Sequence, residues 1–189
     1  MARVRVRIEM LGGFAVRVGG RELPLGRKVP RRPLDLLKYL ALHAGGQVPE
    51  AEVARALWPD REQAVARRSL TVTLHRLRRL LGLPDAIFRR DGRMGVDAES
   101  VWCDAVAFER LLADAARCAD KRRRTALAAA ALDLYRGELL AGETRLAWVL
   151  PIRARLEQRH VEGGRIRNRS VIRPSVPSDA ALASTEVEP

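Results

Sequence analysis

The chain has 189 residues, enough for one ordinary domain or two small ones, and 47% of them are hydrophobic, so a packed core can form. No stretch is long and apolar enough to span a bilayer, and no secretory leader follows Met1, so we expect a cytoplasmic protein without membrane contact. The net charge of +12 favours a polyanionic partner, and residues 1–93 hold nearly all of it, with 20 Lys and Arg against 9 Asp and Glu.

The first 25 residues predict a small antiparallel sheet. Polar and apolar residues alternate over residues 3–8 and again over residues 14–18, which is the pattern of half-buried strands. Gly19 and Gly20 form a two-residue hairpin signal, and residues 22–25 predict the returning strand.

Three helices and a hairpin follow this sheet. Apolar residues at helical spacing predict helices over residues 32–44, 50–58 and 62–81, and a short turn at Pro59 separates the last two. An Asp-Gly turn at residues 91–92, between two short strands, predicts the hairpin. This order is typical of a winged helix-turn-helix, in which the second helix of the motif enters the DNA major groove.

Residues 101–160 predict a separate, alanine-rich helical domain. We expect a helix capped by Asp104, a second helix over residues 125–135 and a third over residues 146–160. Beyond this point the apolar periodicity ends and Ser, Pro and Gly become frequent, which predicts a disordered tail over residues 161–189.

The helix predicted over residues 62–81 has two contrasting faces. An apolar stripe faces the predicted core, and its members are Ala66, Leu70, Leu74, Leu77 and Leu81. The opposite face suits the major groove, because Arg can donate twice to guanine and an exposed Val can contact a thymine methyl group. The candidates on this face are Arg67, Arg68, Thr71, Val72, His75, Arg76 and Arg79. An ordinary amphipathic helix with a solvated basic face would show the same pattern.

The predicted hairpin supplies a second group of candidate DNA contacts. Arg89, Arg90 and Arg93 lie at its tip, where they would contact the phosphate backbone or the minor groove. The helix and the basic hairpin together would hold the duplex at two points.

No arrangement of residues predicts catalysis. The three histidines are scattered, no Ser/His/Asp or Cys/His set can be discerned, and no spacing is typical of metal ligands. Cys103 and Cys118 belong to no paired motif, so we expect ordinary thiols. We therefore expect no enzymatic activity, no cofactor and no metal.

Several blocks of sequence resemble, in their order along the chain, the bacterial transcriptional activator family that includes the Streptomyces antibiotic regulatory proteins. These blocks are LGGF at residues 11–14, RRPLDLL at 31–37, ALWPD at 56–60, LHRLRRLLG at 74–82 and VWCD at 101–104. A further block, LDLYRGELL at residues 132–140 with Trp148 and Arg153, resembles the second module of the same family.

The resemblance implies a mainly α fold with small antiparallel β-sheets. An OmpR-type winged helix-turn-helix would cover residues 1–100, and a truncated, tetratricopeptide-like part of a bacterial transcriptional activator domain would cover residues 101–160. The blocks are also similar to the C-terminal part of large ATP-dependent regulators. This chain has no Gly-x-x-x-x-Gly-Lys-Ser/Thr loop, so we expect no nucleotide hydrolysis.

The sequence therefore predicts a regulator that binds double-stranded promoter DNA with sequence specificity. By resemblance, its partners would include RNA polymerase, and a homodimer would bind direct repeats. Two alternatives remain open at this stage. The chain could be a helical protein-interaction module, or a truncated regulator fragment without DNA-specific activity of its own.

Overall fold

The computed structural model describes residues 5–26 and 29–169. The strands are β1 (Val6–Glu9), β2 (Ala15–Val18), β3 (Arg21–Glu22), β4 (Val48–Pro49), β5 (Ile87–Arg90), β6 (Arg93–Val96) and β7 (Val101–Cys103). The helices are α1 (Arg31–Leu42), α2 (Glu50–Leu57), α3 (Gln63–Leu81), α4 (Asp104–Arg117), α5 (Lys121–Leu134) and α6 (Val149–Arg169). Within the described residues, none of these helices combines the length and the apolar character that a membrane crossing needs.

The N-terminal sheet has the strand order β3-β2-β1-β7. β1 and β2 pair antiparallel, with Val6 opposite Val18, as the alternating pattern predicts. The other edge of β1 pairs in parallel with β7, where Val6 lies opposite Val101, so the sheet is mixed rather than purely antiparallel. The sequence does not predict this pairing, because three residues are too few to show an alternating pattern.

The predicted winged helix-turn-helix is confirmed in its order and its packing. α1 contacts α2 and α3, and it also contacts the two sheets through β6 and β7. α3 ends at Leu81 because Gly82 takes a left-handed conformation with φ 63°, which glycine adopts without strain. The hairpin of β5 and β6, called the wing below, turns at Asp91 and Gly92, and both have positive φ. β4 pairs with β6 and completes the second sheet.

The helical half differs from the prediction in the bounds of its helices. α5 begins at Lys121, earlier than the predicted start at residue 125. The reason is the N-cap, because the side chain of Asp120 accepts a hydrogen bond from the backbone N of Arg123. α5 then packs against both α4 and α6.

The predicted disordered tail is wrong in its first part, because α6 continues through residues 161–169. The helix packs here through a glycine instead of a large apolar side chain, so the sequence shows no periodicity. Gly163 is buried, and a Cβ atom on it would lie 2.9 Å from Leu112 Cδ2 and 3.3 Å from Leu132 Cδ2. Residues 170–189 of the predicted tail lie outside the described residues.

Asp104 joins the two halves of the chain, although the sequence predicts it as a helix cap. It is the first residue of α4 rather than its N-cap, and only 1% of it is exposed. The backbone N of Met10 donates to both carboxylate oxygens, at 2.8 and 2.9 Å, and the backbone N of Leu11 donates to Oδ2 at 2.9 Å. Burial raises the pKa of Asp104, while these hydrogen bonds act in the opposite direction.

Residues 136–143, which we call the junction loop, complete the contact between the two halves. The backbone N of Leu140 donates to Met10 O at 2.7 Å, so the loop continues the hydrogen bonding at the end of β1. The ammonium group of Lys38, on α1, lies 3.1 Å from the carboxylate of Glu143 in the loop. One continuous apolar cluster also runs from β1 through α1, α2 and α3, called the three-helix unit below, to α6.

Candidate nucleic-acid interface

α3 is held in one orientation by its apolar stripe. All five predicted members of the stripe are buried, namely Ala66, Leu70, Leu74, Leu77 and Leu81. Burial of each leucine is worth about 1.5–3 kcal/mol, so rotation of the helix about its axis would cost several such contributions. The opposite face of α3 therefore points away from the core.

The side chains predicted to face DNA all lie on this outward face. Each of the seven is exposed: Arg67, Arg68, Thr71, Val72, His75, Arg76 and Arg79. Val72 is 51% exposed, so its methyl groups can contact a partner directly. In the described part of the chain, no acidic side chain forms an ion pair with Arg67, Arg76 or Arg79. The face thus presents cations that no carboxylate contacts directly, although Glu50 interacts with Arg67 at longer range.

The last turns of α3 border an open hollow. Its lining consists of Arg76, Arg79 and Leu80 together with Pro30 and Pro33 at the start of α1, and its volume is about 360 Å³. Two guanidinium-bearing side chains at one open hollow are suited to an anionic group such as a phosphate. The hollow extends the basic face of α3 toward α1.

The wing places Arg89 against the three-helix unit rather than free in solvent. Its Nε and Nη2 atoms donate to the two carboxylate oxygens of Glu50, each at 2.6 Å. Its Nη1 atom donates to the hydroxyl of Thr71 at 3.1 Å. The hydrogen bonds from Arg89 are the largest cause of the lowered pKa of Glu50, and the same pairing raises the pKa of Arg89.

The other two predicted wing cations differ from each other. Arg93 is exposed, and its Nη2 atom donates to the backbone O of Gln47 at 2.7 Å. Arg90 is exposed, and its side chain forms no hydrogen bond or ion pair with any residue that the structure describes. Of the three wing arginines, Arg90 is therefore the one whose charge is most available to a partner.

Sequence reasoning missed Glu50 as part of this surface. An acidic residue in the first turn of a helix is common, because it interacts favourably with the helix dipole, and this general preference hides any special role. The available signal was the position of Glu50, next to the strand that pairs with the wing, but the β4–β6 pairing is only two residues long. Such a short pairing leaves no trace in the pattern of apolar residues.

Neither a metal cluster nor a paired cysteine is present in the described ranges. No group of three or more His, Cys, Asp and Glu side chains there could hold a metal ion. Cys103 is buried, Cys118 is partly exposed, and both are free thiols. Burial raises the pKa of the Cys103 thiol to about 12.

Comparison with known proteins gives two family matches and a structural likeness. Residues 27–90 match the family described as transcriptional regulatory protein, C terminal, and residues 103–169 match the bacterial transcriptional activator domain. No curated protein matches the chain in sequence. The structure resembles Mycobacterium tuberculosis EmbR, solved in complex with a low-affinity phosphopeptide, with a TM-score of 0.70 and 20% identity. The match covers 89% of this chain and 46% of the EmbR chain, so this chain spans about half of that length.

Proposed function

Because the chain belongs to the bacterial transcriptional regulators that join an OmpR-type winged helix to a bacterial transcriptional activator domain, we propose that it binds double-stranded promoter DNA with sequence specificity. The observation that carries this proposal is the outward face of α3. It presents unpaired arginines, a threonine and a half-exposed valine opposite a fully buried leucine stripe. We propose that the chain acts through binding and not through catalysis.

Binding would proceed in two physical stages. The surplus of cations in residues 1–93 attracts the duplex and displaces counterions from its phosphates, which needs no particular sequence. α3 then enters the major groove, where Arg68 and Arg79 can donate to guanine and Val72 can contact a thymine methyl group. Arg76 and the wing, through Arg90, contact the flanking phosphates.

Selection of bound duplexes from a random pool, followed by footprinting, tests the proposal on the full chain. We expect one enriched motif. In the footprint, each copy of this motif should show a segment protected from cleavage that is about as wide as a major-groove contact. Affinity for the enriched duplex should fall steeply with salt, since several phosphates are neutralised. Absence of any enrichment, together with a flat salt titration, would contradict DNA binding and would favour a helical protein-interaction module.

A matched pair of arginine variants separates the face of α3 from general charge. Arg79→Ala and Arg110→Ala each remove one positive charge, but Arg110 is an exposed residue of α4 in the helical half. We expect Arg79→Ala, and likewise Arg68→Ala, to weaken binding to the enriched duplex by about 1–3 kcal/mol if the residue contacts a base. The affinity of Arg110→Ala for the enriched duplex should equal that of the wild-type protein within experimental error. Unchanged binding of both α3 variants would refute the assignment of this helix.

The helical half is proposed to contact RNA polymerase and a second copy of the chain on direct repeats. Support comes from α6, where Leu150 is 58% exposed and Val161 is 50% exposed. These residues are about three turns apart and lie on one side of the helix, roughly 16 Å from each other. Sedimentation on duplexes with one or two motif copies tests the dimer, and transcription in vitro from a promoter with the motif tests activation. A 1:1 complex on both duplexes would remove the dimer from the proposal.

A further inference from the structure

The guanidinium group of Arg89 is fixed from two sides close to the tip of the wing. Glu50 accepts two hydrogen bonds of 2.6 Å from it in a bidentate arrangement, which is the strongest geometry for this pair of groups. The side chain of Glu50 is only 14% exposed, so water competes weakly for its oxygens. Arg89 therefore has one nitrogen left, and this atom, Nη1, donates to Thr71.

Glu50 is itself held against the wing by backbone hydrogen bonds. Its backbone N donates to the carbonyl oxygen of Gly92, in the wing turn, at 2.9 Å. The preceding residues, Val48 and Pro49, pair with β6 of the wing. The start of α2 and the tip of the wing are thus one unit, and Arg89 links that unit to α3.

The hydroxyl group of Thr71 has few remaining ways to form hydrogen bonds. A hydroxyl has one hydrogen and two lone pairs. The hydrogen is directed to the backbone O of Arg67 at 3.2 Å, and one lone pair accepts from Arg89 at 3.1 Å. One lone pair remains, and Thr71 lies on the exposed face of α3. In this arrangement the hydroxyl can accept one more hydrogen bond from outside, whereas donation to a base would require it to give up its bond to the backbone O of Arg67.

We propose that Glu50 and Arg89 are positioning residues that fix the Thr71 hydroxyl as a hydrogen-bond acceptor, so that this residue selects a base with an exocyclic amino group. In the major groove only adenine and cytosine present such a donor. The inference rests on the proposed function of α3. It assigns the phosphate contact of the wing to Arg90 and removes Arg89 from that role.

The test is selection from a random duplex pool with the full chain and four variants. The variants are Glu50→Gln, Arg89→Lys, Arg89→Met and Thr71→Val. Wild-type protein should enrich adenine or cytosine at one position, and each variant should relax that position by about tenfold while the rest of the motif persists. Arg89→Lys is the informative substitution, because it keeps the charge but cannot form the fork that spans Glu50 and Thr71.

The salt dependence of binding gives a readout that a purely structural role would not move. Arg90→Met should weaken binding to every duplex and lower the slope of log affinity against log salt by about 0.9, as expected for one lost phosphate contact. Arg89→Met should leave this slope unchanged. Melting curves of all variants identify any loss of folding, and Arg89→Lys still tests the proposal if Glu50→Gln is unstable.

Two results would overturn the inference. One is a drop in the salt slope for Arg89→Met with normal base selection by Arg89→Lys, which would make Arg89 a phosphate contact. The other is enrichment of guanine or thymine opposite Thr71, which would require a donating hydroxyl or a methyl contact. If wild-type protein enriches no motif at all, the proposed DNA-binding function has failed rather than this inference.

Discussion

Replacement of Asp104 by alanine should destabilise the whole molecule, because one carboxylate serves both halves of the chain. Met10 is fully buried and Leu11 is 2% exposed, so their backbone N–H groups would have no water to replace the lost acceptor. An unsatisfied buried donor costs about 1–3 kcal/mol. Removal of the buried charge recovers part of this cost, since burial raises the pKa of Asp104. We expect a net loss of about 2–4 kcal/mol, out of a total of about 5–15 kcal/mol for a typical protein.

Urea denaturation followed by circular dichroism measures this effect. Asp114→Ala is the matched control, because Asp114 lies on the same helix, and its ion pair with Arg117 is largely exposed. Exposed pairs contribute little, so the control should change the free energy of unfolding by less than about 1 kcal/mol. The loss in the free energy of unfolding for Asp104→Asn should lie between the losses for Asp104→Ala and Asp114→Ala, since the amide of asparagine keeps one acceptor oxygen. A loss below about 1 kcal/mol for Asp104→Ala would refute the reasoning, because two buried donors could not then depend on this carboxylate.

Three further predictions concern packing, titration and thiol reactivity. Gly163→Ala should lower the free energy of unfolding by about 1–3 kcal/mol through overpacking, whereas Gly164→Ala, where a Cβ meets nothing within 4 Å, should be neutral or stabilising; equal urea midpoints would contradict this. The pKa of Glu50 is lowered, so its stabilising contribution is present above its unfolded pKa and lost as the pH falls through the folded value. The stability difference between wild type and Glu50→Gln should therefore shrink below about pH 4, and a constant difference in acid would argue against the Arg89 pairing. A thiol reagent at pH 8 should modify the partly exposed Cys118 well before Cys103, whose pKa is about 12, and mass spectrometry of the labelled peptides would show the order.

The sequence predicts most of the DNA-binding half because its elements are long or strongly patterned. The leucine stripe of α3 has five members at helical spacing, and an Asp-Gly turn marks the wing, so both features could be located from residue types alone. The predicted exposure of the seven candidate DNA-facing residues of α3 follows from the stripe, because a helix that buries one side must present the other. Contact of these residues with DNA stays a prediction.

What the sequence does not predict depends on contacts between distant residues. Asp104 meets Met10 across 94 positions, and Arg89 meets Glu50 across 39, so no local pattern contains either pair. The sequence predicts the end of α6 too early, at residue 160 instead of Arg169, for a different reason. Gly163 is poor at forming helices, and it is present because α4 and α5 leave no room for a side chain.

The junction also has a consequence for how such regulators can be recombined. Consider a chimaera in which residues 1–97 are replaced by the equivalent part of a different regulator. The residues that follow β1 would then be foreign, while Asp104 and the junction loop that contact them would be the original ones. The carboxylate would then face backbone groups that had never been matched to it, and Lys38 would no longer be opposite Glu143. Functional exchange of the DNA-binding half should succeed only when the start of α4 and the junction loop are transferred with it as a single unit.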